Sequence, residues 1–245
     1  MNPEVYIFTH PEVMAESLAE EFYRYVLNQF MTRNNLYIAL SGGNTPLMFF
    51  EVLSQFNSQK KNKIDWKKLH FFWGDERCVP VDDPESNYGN ANSVLFSKID
   101  IPPKNIYPVN GLNDPKTECE EYASLVKRTV PSGSGTPVFD WIFLGIGDDG
   151  HTASLFPDRM DLFSTDKICE LVKHPQTGQQ RITLTGRIIN MAKRITFLAT
   201  GPEKQEVVKQ ILNREPQSKK YPAAKISPEK GRLDWYLDAL AAELI

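Results

Sequence analysis

The chain is expected to fold as an α/β protein, a mainly parallel, Rossmann-like sheet with helices on both faces, and three observations lead there. Short apolar runs alternate with amphipathic stretches through most of its 245 residues, the signature of strand-helix-strand units. Four glycine-rich or charged clusters, at residues 41–45, 74–77, 145–151 and 201–204, each follow an apolar run directly. The composition, 41% hydrophobic and 24% charged, is that of an ordinary globular protein. The length suits one domain, or one domain carrying a small subdomain.

Residues 5–8 read as a first strand, after which Pro11 opens a long helix with Val13, Met14, Leu18, Phe22, Val26 and Phe30 on one face. Residues 36–40 form a second strand that runs straight into Ser41-Gly-Gly-Asn-Thr-Pro46. Thr45 is placed to cap the next helix and Pro46 to begin it, so the helix covers 47–56. The turn Ser41, Gly42, Gly43, with backbone N–H groups freed at the glycines and a helix N-terminus behind them, makes an anion cradle. It lacks the lysine of a Walker loop, so nucleoside triphosphates are not implied. A polar, Lys-rich link at 57–63 leads to a third strand at 69–73, which ends in Gly74-Asp-Glu-Arg-Cys-Val-Pro80, read as a charged loop. Ser86 and Asn87 look like the cap of a helix over 88–98, residues 106–109 like a short strand, and 114–130 like an amphipathic helix. Residues 131–137 are the most flexible-looking stretch.

The apolar run Trp141-Ile-Phe-Leu144 delivers the densest cluster of chemistry, Gly145-Ile-Gly-Asp-Asp-Gly-His-Thr-Ala-Ser-Leu-Phe-Pro157. Its three glycines, with Glu170 about twenty residues on, formally satisfy the dinucleotide-binding fingerprint. Two residues argue against a pyrophosphate there: Asp148 and Asp149 would face its charge, and Pro157 stops the helix that should hold it. Strands follow at 168–172, 182–185 and 194–200, with Arg181 just before the second. Residues 201–204 open a helix that runs to 212. Lys204 therefore sits in a first turn, where a cation is unfavourable unless it faces an anion. In the tail an apolar run at 233–237 leads into 238–244.

A formal net charge of -3 argues against a nucleic-acid partner, so any phosphate must be held by a few placed cations. No apolar run approaches the ~20 residues of a membrane span, and Met1-Asn-Pro-Glu-Val lacks the basic start of a signal peptide. A cytoplasmic protein that does not engage membranes is expected. Cys78, Cys119 and Cys169 are scattered and odd in number, which fits reduced thiols and neither a disulfide framework nor a zinc site. Cys78 has charged neighbours but no histidine close in sequence, so a thiolate nucleophile is set aside.

In such sheets ligands bind beyond the carboxyl ends of the strands, so the four polar clusters should meet on one edge. They would bring a base, His151, with Asp149 and Asp75 to orient it, and three devices for a phosphate: the Gly42-Gly43 cradle, Arg77 and Lys204. Gly133-Ser-Gly135 lies in a loop and makes no nucleophile elbow, so a serine acyl-enzyme is not expected. A base without a nucleophilic side chain points to activated water or to proton transfer on a small phosphorylated substrate. The residues alone leave both open.

Three motifs, Ser41-Gly-Gly-Asn-Thr-Pro46, Trp73-Gly-Asp-Glu-Arg-Cys-Val-Pro80 with Ser86-Asn-Tyr88, and Gly145 through Pro157, resemble the glucosamine-6-phosphate isomerase/6-phosphogluconolactonase family, on its lactonase side. The resemblance extends to Arg181-Ile-Thr-Leu-Thr185 and Gly201-Pro-Glu-Lys204; Asn44 departs from it where serine is also usual. It implies hydrolysis of 6-phosphoglucono-1,5-lactone without metal or organic cofactor, with His151 taking a proton from water. It implies too that Arg77, Lys204 and Arg181 hold the phosphate or the sugar hydroxyls. The isomerase/deaminase side of the family carries a glutamate five residues past the histidine, where this chain has Phe156. A sugar-phosphate sensor on the same fold would have no need of a base at His151. Oligomeric state is not legible in the sequence.

Overall fold

The computed structural model describes residues 3–60, 63–133 and 135–245. The start Met1-Asn2, Lys61 and Asn62 of the Lys-rich link, and Ser134 of the glycine loop lie outside the described residues.

The strands are β1 (Glu4–Phe8), β2 (Leu36–Leu40), β3 (Leu69–Trp73), β4 (Asp75–Arg77), β5 (Ser132–Gly133), β6 (Thr136–Pro137), β7 (Trp141–Leu144), β8 (Cys169–Lys173), β9 (Gln180–Leu184), β10 (Arg194–Ala199) and β11 (Arg232–Asp238). The helices are α1 (Pro11–Phe30), α2 (Asn44–Gln59), α3 (Asn87–Val94), α4 (Pro115–Thr129), α5 (Gly186–Asn190) and α6 (Gln205–Leu212), with several short 3-10 turns between. Among the described residues, six strands form one sheet in the order β1-β11-β10-β7-β2-β3, every neighbouring pair parallel. This is the expected doubly covered α/β sheet.

Its central strands β7 and β10 are buried along their whole length, which is why β7 reads as an unbroken apolar run and β10 as an apolar stretch interrupted by Arg194 and Thr196 rather than an alternating one. Successive side chains point to opposite faces. Trp141 and Phe143 pack with Leu18, Phe22 and Phe49 of α1 and α2, and Ile142 and Leu144 with Tyr122 and Val126 of α4 and Val207 and Val208 of α6. At the amino ends of the strands, Arg194 is buried over the Trp141 ring, 3.8 Å from its centroid, and paired with Asp234 at 2.6 Å and Glu21 at 2.5 Å. That ionic node ties α1 to the sheet at the end away from the glycine turns.

The structure corrects several local expectations. Residues 75–77, expected as a loop, are strand β4 of a second, antiparallel sheet β4-β9-β8. One residue, Gly74, separates it from β3, and its N–H bonds the Leu40 carbonyl at 2.8 Å; three charged residues carry no apolar alternation to read. Thr45 caps nothing: α2 begins at Asn44 behind Gly43, whose φ of 98° only glycine adopts easily, and continues to Gln59, into the expected link. The helix over 88–98 is α3 followed by a 3-10 turn, with Ser86 as the N-cap, its side chain accepting from the Gly89 N–H. Residues 106–109 make one bridge, Ile106 to Phe71, and no strand; Pro108 has no N–H to extend it. The flexible-looking 131–137 hold a minimal hairpin, β5 and β6. The apolar run at 233–237 is the inner strand β11, between β1 and β10. Among the described residues no helix is long and apolar enough to cross a membrane.

Candidate active site

A cavity of about 360 Å³ opens beyond the carboxyl ends of β2, β3, β7 and β10, and residues from all four polar clusters line it. Ser41, Gly42, Gly43, Asp75, Arg77, His151, Arg181 and Lys204 all contribute, joined by Asn87, Thr45, Thr200 and Glu203. Asp149 stands behind His151.

The histidine is presented by a tight turn in which the Gly150 N–H bonds the Gly147 carbonyl at 3.0 Å and the Gly147 N–H bonds the His151 carbonyl at 2.9 Å. Asp149 Oδ1 accepts from the His151 backbone N–H at 3.0 Å and lies 2.6 Å from Nδ1. Burial pushes the Asp149 carboxyl up, but the hydrogen bonds and charge of His151 outweigh it and hold the pKa at about 2. An ionised carboxylate can only accept, so Nδ1 carries the proton and Nε2 is left to act as acceptor. The sign of the linkage follows: what this pair adds to stability is present above the ordinary carboxyl value of 3.8 and is lost as pH falls through about 2. Gly147 has to be glycine, since a Cβ there would lie 2.1 Å from His151 Nδ1 and 2.8 Å from Asp149 Oδ1. On the other side, the buried Phe156 ring stands 5.1 Å from the imidazole, with the Arg181 guanidinium 5.9 Å from the same ring.

Asp75 is buried in the cavity wall, where its carboxylate accepts from Ser154 Oγ at 2.7 Å. The imidazole donates to Asp149, and Asp75 is spent on Ser154. Arg77 and Arg181 are direct cross-strand partners on β4 and β9. Arg77 Nη1 donates to the Glu85 carbonyl at 2.7 Å while its Nε is buried without an acceptor. Arg181 Nε donates to Gln179 Oε1 at 3.0 Å. Burial pulls the Arg181 pKa down, with the like charge of Arg77 adding to the effect and Asp75 opposing it. Lys204 ends the 3-10 turn Pro202–Lys204 ahead of α6 and is ion-paired with Asp148.

Several contacts at the site had no signature in the sequence. Asn87, read there as a cap residue, presses its side chain so close to Gly42 that a Cβ on the glycine would lie 1.7 Å from Oδ1, and its Nδ2 donates to the Asp75 carbonyl at 2.9 Å. It locks the glycine turn against β4. The Thr45 and Thr200 hydroxyls meet at 2.7 Å and join α2 to the end of β10. Glu76 is buried, and burial raises its pKa to about 7 against the pull of the Tyr88, Asn87 and Arg77 N–H groups that it accepts from. It fastens the start of α3 to β4. Burial pushes the Cys78 thiol up to about 11, which does not suit a nucleophile. Among the described residues no group of three His, Cys, Asp or Glu side chains is placed to hold a metal ion.

The sequence pattern of the family described as glucosamine-6-phosphate isomerases/6-phosphogluconolactonase matches residues 9–235. A 6-phosphogluconolactonase of Haemophilus influenzae is 42% identical over 230 residues, 94% of each chain. One from Synechocystis is 36% identical over 245 residues, 99% of this chain and 98% of the other. Among solved structures, the 6-phosphogluconolactonase of Thermotoga maritima superposes with a TM-score of 0.82 at 28% identity, covering 97% of this chain and all (100%) of the other. A monomeric glucosamine-6-phosphate deaminase superposes equally well, TM-score 0.82, at 22% identity over 99% and 100% of the two chains, and shares the fold. With its motifs converging on one cavity and relatives matched along nearly its whole length, this chain belongs to the glucosamine-6-phosphate isomerase/6-phosphogluconolactonase family.

Proposed function

We propose that the protein hydrolyses 6-phospho-D-glucono-1,5-lactone to 6-phospho-D-gluconate, the second step of the oxidative pentose phosphate pathway. The observation that carries this is the His151-Asp149 pair at the wall of a cavity that also holds Arg77, Arg181 and Lys204. His151 Nε2 takes a proton from a water molecule as its oxygen attacks the lactone carbonyl. Negative charge gathers on the carbonyl oxygen, for which backbone N–H groups of Ser41, Gly42 and Gly43 are the candidate donors. The ring C–O bond then breaks, the ring oxygen takes the proton from the imidazolium and leaves as a hydroxyl, and the imidazole is neutral again. Asp149 keeps Nδ1 protonated throughout and stabilises the imidazolium between the two steps. The cations hold the phosphate and sugar hydroxyls. No metal or organic cofactor enters this scheme. Names of relatives support it: lactonases match at 36% and 42% identity over most of both chains. We read the chain as one α/β domain working on a soluble sugar phosphate in the cytoplasm.

The deaminase reaction needs a carboxylate that Phe156 replaces with a buried ring against His151. The protein should therefore open freshly made 6-phosphogluconolactone faster than buffer does, and release no ammonia from glucosamine 6-phosphate. Both are followed by product assay. Ammonia release at ~1 s⁻¹ or more, a rate typical of enzymes, together with no acceleration of lactone opening, would overturn the assignment.

A further inference from the structure

Lys204 reaches the cavity already holding a counter-ion. Its ammonium pairs with Asp148, and the two are unequally covered: the lysine side chain is 19% exposed and the aspartate 70%. Lys204 is part of the cavity wall and Asp148 is not, so the carboxylate meets the ammonium from the rim. Asp148 follows Gly147 in the turn closed by the Gly150 N–H, one residue ahead of the aspartate that orients His151.

A phosphate monoester that reaches Lys204 has to take the place of this carboxylate. Both anions cannot keep the ammonium without facing each other, since like charges within a few ångströms repel strongly at a partly desolvated site. Asp148 is the partner able to give way, being a short side chain already turned largely to solvent. An ion pair whose carboxylate is largely hydrated gains little from the contact, so it opens readily and still competes. We propose that Asp148 is a built-in competitor of the substrate phosphate: it neutralises Lys204 in the empty site, is displaced by a dianionic phosphate monoester, and returns as the product leaves. The proposal rests on the assignment of Lys204 to the phosphate. Asp148 thereby sets how tightly phosphorylated ligands are held and keeps the product from lingering.

The test compares Asp148→Asn, Asp148→Glu and Lys204→Ala with the natural protein. The dissociation constant of 6-phosphogluconate is measured by calorimetry at low and high salt, and KM for the phosphorylated lactone and for glucono-1,5-lactone by kinetics. Asp148→Asn should tighten 6-phosphogluconate binding and lower KM for the phosphorylated lactone by about two- to fivefold at low salt. The gain should fade near ~1 M salt, where screening is short-ranged. Glucono-1,5-lactone should not respond, and Asp148→Glu should behave like the natural protein. Asp148→Ser serves as a second neutral variant should the amide disturb the turn. If the neutral variants bind 6-phosphogluconate no better while Lys204→Ala binds it worse, the competitor role is wrong and the phosphate assignment stands. If Lys204→Ala binds 6-phosphogluconate as well as the natural protein does, the phosphate assignment falls and the competitor with it.

Discussion

Replacing His151 by alanine is expected to lower kcat by about 10²–10⁴-fold and to leave KM within a few-fold, the range that a positioned general base contributes. The reason for the split lies in the geometry. His151 is held by its own turn and by Asp149, while the groups suited to ground-state binding, Arg77, Arg181 and Lys204, come from other elements of the cavity. A residue whose main interaction forms as the proton moves lowers kcat and kcat/KM together. Spontaneous lactone opening has to be subtracted at each pH. Should a folded His151→Ala protein keep nearly full kcat, the histidine would be scaffold, and Asp75 would be the next base to examine.

Removing the lysine should act on binding and discriminate between substrates. Lys204→Ala is expected to lower kcat/KM for the phosphorylated lactone by ~10–100-fold, the loss of one charge-assisted hydrogen bond of ~1.5–3 kcal/mol. On glucono-1,5-lactone, which has no phosphate, the change should be small. Exposed Asp148, left without its partner, remains hydrated and adds little cost of its own. Equal losses on both substrates would assign Lys204 to the sugar or to the fold.

What could be read in advance follows from where the physics is local. Strands β7 and β10 were legible as apolar runs because both faces are buried. Helix α4 was legible over 114–130 from its amphipathic spacing, which is local; that Asp114 is its N-cap, the side chain accepting from the Thr117 N–H, is a finding of the structure. The convergence of the glycine and charged clusters followed from one rule, that parallel strands all point their carboxyl ends to one edge. The small antiparallel sheet did not show itself, since Asp75, Glu76 and Arg77 pair with residues more than a hundred positions away. The Asn87 side chain on Gly42 and the meeting of the Thr45 and Thr200 hydroxyls are likewise contacts between distant parts of the sequence. Sequence spacing offered both Asp75 and Asp149 as partners for His151; only the path of β4 puts Asp75 against Ser154. The pairing of Lys204 with Asp148 is equally hidden, because the two stand on separate turns 56 positions apart.

The most direct test of the mechanism is the pH dependence of kcat in the natural protein and in His151→Ala. In the natural protein Asp149, held at about 2 by His151, is ionised well above that value and does not supply an inflection near neutrality. The natural enzyme should lose rate on the acid side as the imidazole takes up a proton and can no longer accept one from water. In His151→Ala the small residual rate should lack the part of that limb that the imidazole supplies; what buried Glu76 contributes, its carboxyl raised to about 7, is common to both proteins. An acid limb that survives unchanged in His151→Ala would contradict the mechanism, because the titrating base would then be another group.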